Sequence, residues 1–111
     1  RKLYEEVIMQ AKGWASDEAL MFVVGATHAD KIGAIRAMAP SYFFLVPGVG
    51  AQGGDLAQVS RAGMNSTCGL LVNSSRQIIY AGDDKTFATA ARNEALRVVE
   101  EMKRYLQLYM V

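Results

Sequence analysis

Cysteine and histidine are almost missing from this sequence, where Cys68 and His28 stand alone. A single cysteine excludes an intrachain disulfide framework and fits a reducing, cytoplasmic setting. One Cys and one His cannot form a Cys/His metal cluster within the chain, so no metal site is expected. Net charge is nearly absent too: 12 Lys and Arg against 11 Asp and Glu leave +1, too weak a field to gather nucleic acid or anionic lipid. Any recognition of phosphate must then be local. The longest unbroken apolar run, Ala19 to Val24, is far below the ~20 residues that span a bilayer, so no membrane segment is expected. An initiating Met and a basic-then-apolar export pattern are also lacking; the chain opens on Arg1-Lys2-Leu3-Tyr4 and reads as if cut from something longer. What is present is 111 residues, 51% hydrophobic and 21% charged, enough for one small domain with an ordinary core.

The apolar periodicity alternates between two kinds of element. Leu3, Val7, Ala11 and Trp14 recur at helical spacing, which predicts an amphipathic helix. Ala19 to Val24 is a short, unalternating run, as expected of a parallel strand buried on both faces. Asp30 is placed to cap a helix carrying Ile32, Ile35 and Met38, which Pro40 ends. Tyr42 to Val46 predicts a second strand, Leu56 to Arg61 a short helix closed by Gly63, and Gly69 to Val72 a third strand. A long helix starts near an Asp83-Asp84 cap, with Phe87, Ala91, Val98, Met102, Tyr105 and Tyr109 on one stripe, whose Met and Tyr part from Met102 to Met110 reads as core or subunit contact. The order predicts an α/β protein with parallel strands and right-handed crossovers. No linker divides residues 1–111, so a single domain is expected. Three parallel strands leave a sheet incomplete at its edges, as in part of a longer (β/α) series.

The most informative stretch is Val46-Pro47-Gly48-Val49-Gly50-Ala51-Gln52-Gly53-Gly54-Asp55, between an apolar strand and a helix, with four glycines in seven positions. Glycine allows a backbone with φ > 0 and close approach of N–H groups to an anion, and the following helix N-terminus adds partial positive charge. Gln52 adds a neutral amide donor. Gly48-x-Gly50-x-x-Gly53 also satisfies the dinucleotide-binding fingerprint, but the next strand ends in Asn73-Ser74-Ser75-Arg76 rather than in the acid that holds a ribose hydroxyl. That opposes NAD and leaves NADP open through Arg76. The barrel reading uses both features, because the loops after the last two strands of a (β/α) barrel commonly form a phosphate site. Arg76 would supply a planar donor fork and the N–H groups of Ser75 and Arg76 the rest of the cup. Against this stands a plain surface role, with Arg76 merely snorkelling or paired to a surface carboxylate.

These residues carry a specific resemblance. Phe44-Leu45-Val46-Pro47-Gly48-Val49-Gly50-Ala51-Gln52-Gly53-Gly54-Asp55 resembles the penultimate-strand motif of orotidine 5'-monophosphate decarboxylases, and Leu71-Val72-Asn73-Ser74-Ser75-Arg76-Gln77-Ile78-Ile79-Tyr80-Ala81 the last-strand segment of a bacterial subgroup. Ser75 departs from the glycine that many members carry there, although a backbone N–H is all that position needs. Val23-Val24-Gly25-Ala26-Thr27-His28 resembles the preceding strand. The resemblance implies the C-terminal portion of a (β/α)8 TIM barrel and conversion of orotidine 5'-monophosphate to UMP, with no cofactor and with dimers as partners. It implies substrate-binding roles for Pro47, Gly48, Val49, Gly50, Gln52, Gly53, Ser75 and Arg76, with the Pro47 to Asp55 loop part of a closing lid.

The family's Asp-x-Lys-x-x-Asp cluster, which does the chemistry, is absent. Asp83-Asp84-Lys85 only begins that pattern, because the second acid's position is Ala88. No catalytic residue is therefore expected in this chain, only the phosphate end of the site. His28 reads as a loop or cap residue and Cys68 as a small buried hydrophobe. Two rivals remain open: a non-catalytic phosphate-binding half-barrel module and an NADP-binding oxidoreductase fragment.

Overall fold

In the computed structural model, which describes residues 2–50 and 54–110, the three strands form one parallel sheet in the order β1-β2-β3. Helix α1 spans Leu3–Lys12, β1 Met21–Val23, α2 Ala29–Met38, β2 Phe43–Val46, α3 Leu56–Gly63 and β3 Leu70–Val72; a short α4 (Ser75–Ile79) and a long α5 (Phe87–Tyr109) follow. Phe22 pairs with Phe44 and Phe44 with Leu70, so one sheet face carries these three large side chains in a row. That face is the core. Phe44, Val46, Ile32 and Val59 are fully buried where α2 and α3 pack on it.

The opposite face carries Met21, Val23, Phe43 and Leu71, exposed by 48%, 72%, 37% and 56%. The expectation that the first strand is buried on both faces is thus wrong for the chain by itself. Its apolar content is real, but among the described residues every helix that packs on the sheet packs on one side. The same openness corrects the reading of α1. Its buried positions are Ile8 and Ala11, with Tyr4 partly covered, while Leu3, Val7 and Trp14 are exposed. Leu3 and Val7 line an open apolar groove with Phe22, Val24 and Ile35, beside the free edge of β1.

Local signals explain most boundaries. Asp55 caps α3, its carboxylate accepting from the N–H of Ala57 at 2.9 Å and of Gln58 at 3.4 Å. Gly63 ends α3 without a left-handed turn; it is required because a Cβ there would meet Ile32 Cγ2 at 2.7 Å. Two caps differ from expectation. His28, not Asp30, is the N-cap of α2, and Asp30 sits in its first turn, where a carboxylate favours the helix dipole without capping it. Asp84 lies ahead of α5 rather than at its cap: its carboxylate accepts from Thr86 N–H and Oγ1, and Thr86 is the N-cap. These bonds hold the Asp84 carboxyl below its ordinary range. Val98, Met102, Tyr105 and Tyr109 of the α5 stripe pack against the core, whereas Phe87 is exposed.

One buried cation escaped the sequence reading. Arg36 donates from Nε to Gly63 O at 2.6 Å, from Nη1 to Ala39 O at 3.1 Å and Tyr42 O at 2.5 Å, and from Nη2 to Gly69 O at 2.9 Å. Its guanidinium lies 3.8 Å from the centre of the Phe44 ring. The last carbonyls of α2 and α3 are thereby tied to the starts of β2 and β3. Burial lowers the Arg36 pKa to about 10, with Cys68 nearby acting in the opposite direction; the group stays charged at neutral pH. Cys68 is half-buried against the core, in a left-handed backbone at φ 77°.

Candidate functional site

The register puts Val46 beside Val72, so the segments that follow β2 and β3 leave the sheet side by side at its carboxyl end. Asn73 N–H donates to Val46 O at 3.0 Å, and Ala26 N–H, beyond β1, to Pro47 O at 2.9 Å. All three strand ends are thereby joined. The glycine-rich loop then folds back on itself. Gly48 and Gly50 adopt φ of 90° and 85°, Gly50 N–H donates to Gly54 O at 3.0 Å, and Gly54 N–H donates to Gly48 O at 2.9 Å. A Cβ on Gly54 would meet Gly48 O at 2.4 Å and Ala26 Cβ at 2.5 Å, so the turn closes only around glycine. Gly48 and Gly50 do provide the positive φ expected of the motif, whereas Gly54 does not. The N–H groups of Gly50 and Gly54 are nevertheless committed inside the loop, so these two shape the turn rather than face an anion.

Pro47, Gly48, Val49 and Gly50 therefore form one compact turn, with Val49 buried. Gln52 and Gly53 lie outside the described residues. Ser75 and Arg76, read from the sequence as loop, form the first turn of α4, and both are exposed. Among the described residues Arg76 has no carboxylate partner, which removes the surface ion pair as an account of it. His28 is exposed at the rim of the apolar groove, at the same end of the sheet.

Two contacting residues were missed. Ser74, 6% exposed, donates its hydroxyl to Val49 O at 3.1 Å and so fastens the glycine turn to the end of β3. Gln77 lies against Gly50, where a Cβ would meet its Oε1 at 1.5 Å, and its Nε2 donates to Glu94 of α5. A signal for them existed: Ser74-Ser75-Arg76-Gln77 has the Ser-x-x-Gln spacing of a capping box, which marks a helix start. Ser74 is indeed the N-cap of α4, but its side chain makes no cap bond. Its hydroxyl is turned toward the neighbouring loop instead.

No family model matches the chain. Its sequence is 54% identical over 105 residues to orotidine 5'-phosphate decarboxylase of Parabacteroides distasonis, covering 95% of this chain and 38% of that protein. The enzyme of the same name from Bacteroides fragilis is 51% identical over 106 residues. Among solved structures, Leishmania donovani OMP decarboxylase superposes with a TM-score of 0.77 at 34% identity, over 95% of this chain and 39% of that one. The chain belongs to the orotidine 5'-phosphate decarboxylase family. It spans well under half the length of the curated relatives it matches. The three strands and their helices are accordingly part of a decarboxylase α/β barrel, with the short α4 directly after the last of the three strands. Kinship with these decarboxylases also favours the barrel reading of the glycine loop over the dinucleotide fingerprint and the half-barrel module.

Proposed function

We propose that this chain forms the substrate-phosphate end of an orotidine 5'-phosphate decarboxylase, in a single partial-barrel domain, and that the whole protein converts orotidine 5'-monophosphate to UMP in pyrimidine synthesis. The observation that supports it most is the meeting of two loops at the carboxyl ends of β2 and β3, tied by the Ser74 to Val49 bond and flanked by an arginine that has no acidic partner among the described residues. In the reaction the bond from ring carbon to carboxylate breaks, CO2 leaves and the carbon takes up a proton. The Asp-x-Lys-x-x-Asp cluster for that step is not in this sequence. Binding far from the reacting carbon still serves it, because phosphate held by Arg76 and the N–H groups of Ser75 and Arg76, beside the glycine-rich loop to which the resemblance also assigns Gln52 and Gly53, can draw a lid shut and exclude water. The family resemblance assigns Gln52 to the phosphate and pyrimidine ends of the substrate. The reaction needs no cofactor, and the working form is a cytoplasmic homodimer.

The test is Arg76→Ala in the whole protein. Transition-state stabilisation should fall by about 2–5 kcal/mol for the nucleotide, the scale of a truncated charge pair, and the loss should be confined to the phosphorylated substrate. Equal losses for nucleotide and nucleoside would show that Arg76 acts on something else.

A further inference from the structure

We infer that Gln77, together with Ser74, is a positioning residue that sets the spacing between the glycine turn and the arginine-bearing helix. The inference deepens the phosphate-site reading and rests on it. Three observations converge. Ser74 grips the turn from below through Val49 O. Gln77, one residue past Arg76, lays its amide end against Gly50, whose positive φ of 85° disfavours any side chain and where an added Cβ would push that amide away. Its amide is then held by Glu94, whose carboxylate is itself fixed by Arg97 through Nε at 3.0 Å and Nη2 at 2.7 Å. Arg97 also reaches Glu101 at 3.5 Å. A small cavity lined by Val49, Gly50, Gly54, Gln77, Arg97 and Glu101 marks where turn and helices meet. The long helix α5 thus acts as a rigid back-stop: it orients Gln77, and Gln77 limits how far the turn can settle toward α4.

This arrangement explains why a helix-start signature is not used for capping. The side chains of Ser74 and Gln77 serve the loop across from them, and α4 begins without a side-chain cap bond. A cradle made from two loops can grip an anion well only if their separation is held to a few tenths of an ångström. Neither side chain needs to touch the ligand for this.

The experiment uses the whole protein, with turnover of orotidine 5'-monophosphate and of orotidine measured side by side. Gln77→Ala should lower kcat/KM for the nucleotide about tenfold, the scale of one hydrogen bond to a charged group, and leave the ratio between the substrates correspondingly reduced. Gln77→Glu alone should also be impaired, because it faces the Glu94 carboxylate. Combining it with Glu94→Gln restores an amide–carboxylate pair of reversed polarity and should recover most of the loss. Ser74→Ala, a smaller change, repeats the test if Gln77→Ala folds poorly. Equal losses on both substrates, or a double variant no better than Gln77→Glu, would overturn the inference. A wild-type protein that does not discriminate between nucleotide and nucleoside would instead overturn the functional reading beneath it.

Discussion

At the amino ends of β2 and β3 a buried arginine gathers the carbonyls of Ala39, Pro40, Tyr42, Gly63 and Gly69, whereas at the carboxyl ends of the same strands an arginine stands exposed beside a glycine turn. Arg36 has all three of its nitrogens bonded to backbone carbonyls; Arg76, among the described residues, has no carboxylate partner. The difference teaches how one cation serves stability and another is left available. An arginine surrounded by carbonyls at the ends of helices adds donors for acceptors that a backbone N–H either leaves open or, as at Gly69 and Ala39, occupies only once. An arginine at the carboxyl end of parallel strands, where barrel enzymes keep their sites, is available to something from outside.

The largest effect should come from isolating the chain. Arg36 fastens strands that are already neighbours and does nothing for the open face of Met21, Val23, Phe43 and Leu71 or for the free edges of β1 and β3. Such surfaces recruit another chain, and the edge of β3, at Gly69 to Val72, is the first place to expect it. Sedimentation equilibrium should show self-association at micromolar concentration; a cooperatively folding monomer would mean that the amino end alone suffices. The isolated chain should also fail to decarboxylate, which loss of substrate absorbance would follow.

Within the whole protein, Arg36→Ala should cost about 3–5 kcal/mol in denaturant unfolding, since it strands several buried carbonyls. Arg36→Lys should recover little, because one ammonium cannot span acceptors set in a planar fork. Gly63→Ala and Gly54→Ala then separate the ends with smaller changes. The first presses on Ile32 and Leu70 and should cost about 1–3 kcal/mol of stability, leaving nucleotide preference intact. The second presses on the backbone of Gly48 and should instead weaken nucleotide binding. Equal behaviour of the two variants in both assays would erase the distinction.

The smallest effect concerns acid. Hydrogen bonds from Arg97, and then from Gln77, lower the Glu94 pKa. A depressed folded-state value means that this tie is fully present above the ordinary glutamate range and is lost as pH falls through the lowered value. Nucleotide affinity should therefore weaken at acid pH more in the native protein than in Glu94→Gln, and parallel pH profiles would argue against the tie.

Much of the fold was legible because parallel strands and their helices write themselves in apolar runs: Phe43–Val46, Leu56–Gly63 and Leu70–Val72 fall on the runs Tyr42 to Val46, Leu56 to Arg61 and Gly69 to Val72, whereas the caps expected at Asp30 and at Asp83-Asp84 fall elsewhere. The glycine turn was legible for the same local reason. What was not legible depends on partners distant in sequence. Arg36 looks like a surface residue on an amphipathic helix until Gly63 and Gly69 are brought to it. Ser74 looks like a cap until Val49 lies across from it. The exposure of Leu3, Val7 and Val23 could not be read at all, because an apolar residue does not announce which of its neighbours are within the same segment.

The most direct test sets the two arginines against each other in the whole protein, with thermal unfolding and the nucleotide-to-nucleoside ratio of kcat/KM measured for Arg36→Lys and Arg76→Ala. The account predicts a crossed result: Arg36→Lys lowers the melting temperature and leaves the ratio unchanged, while Arg76→Ala keeps the melting temperature and collapses the ratio. Arg76→Ala that melts early, or that retains full preference for the phosphorylated substrate, would contradict it.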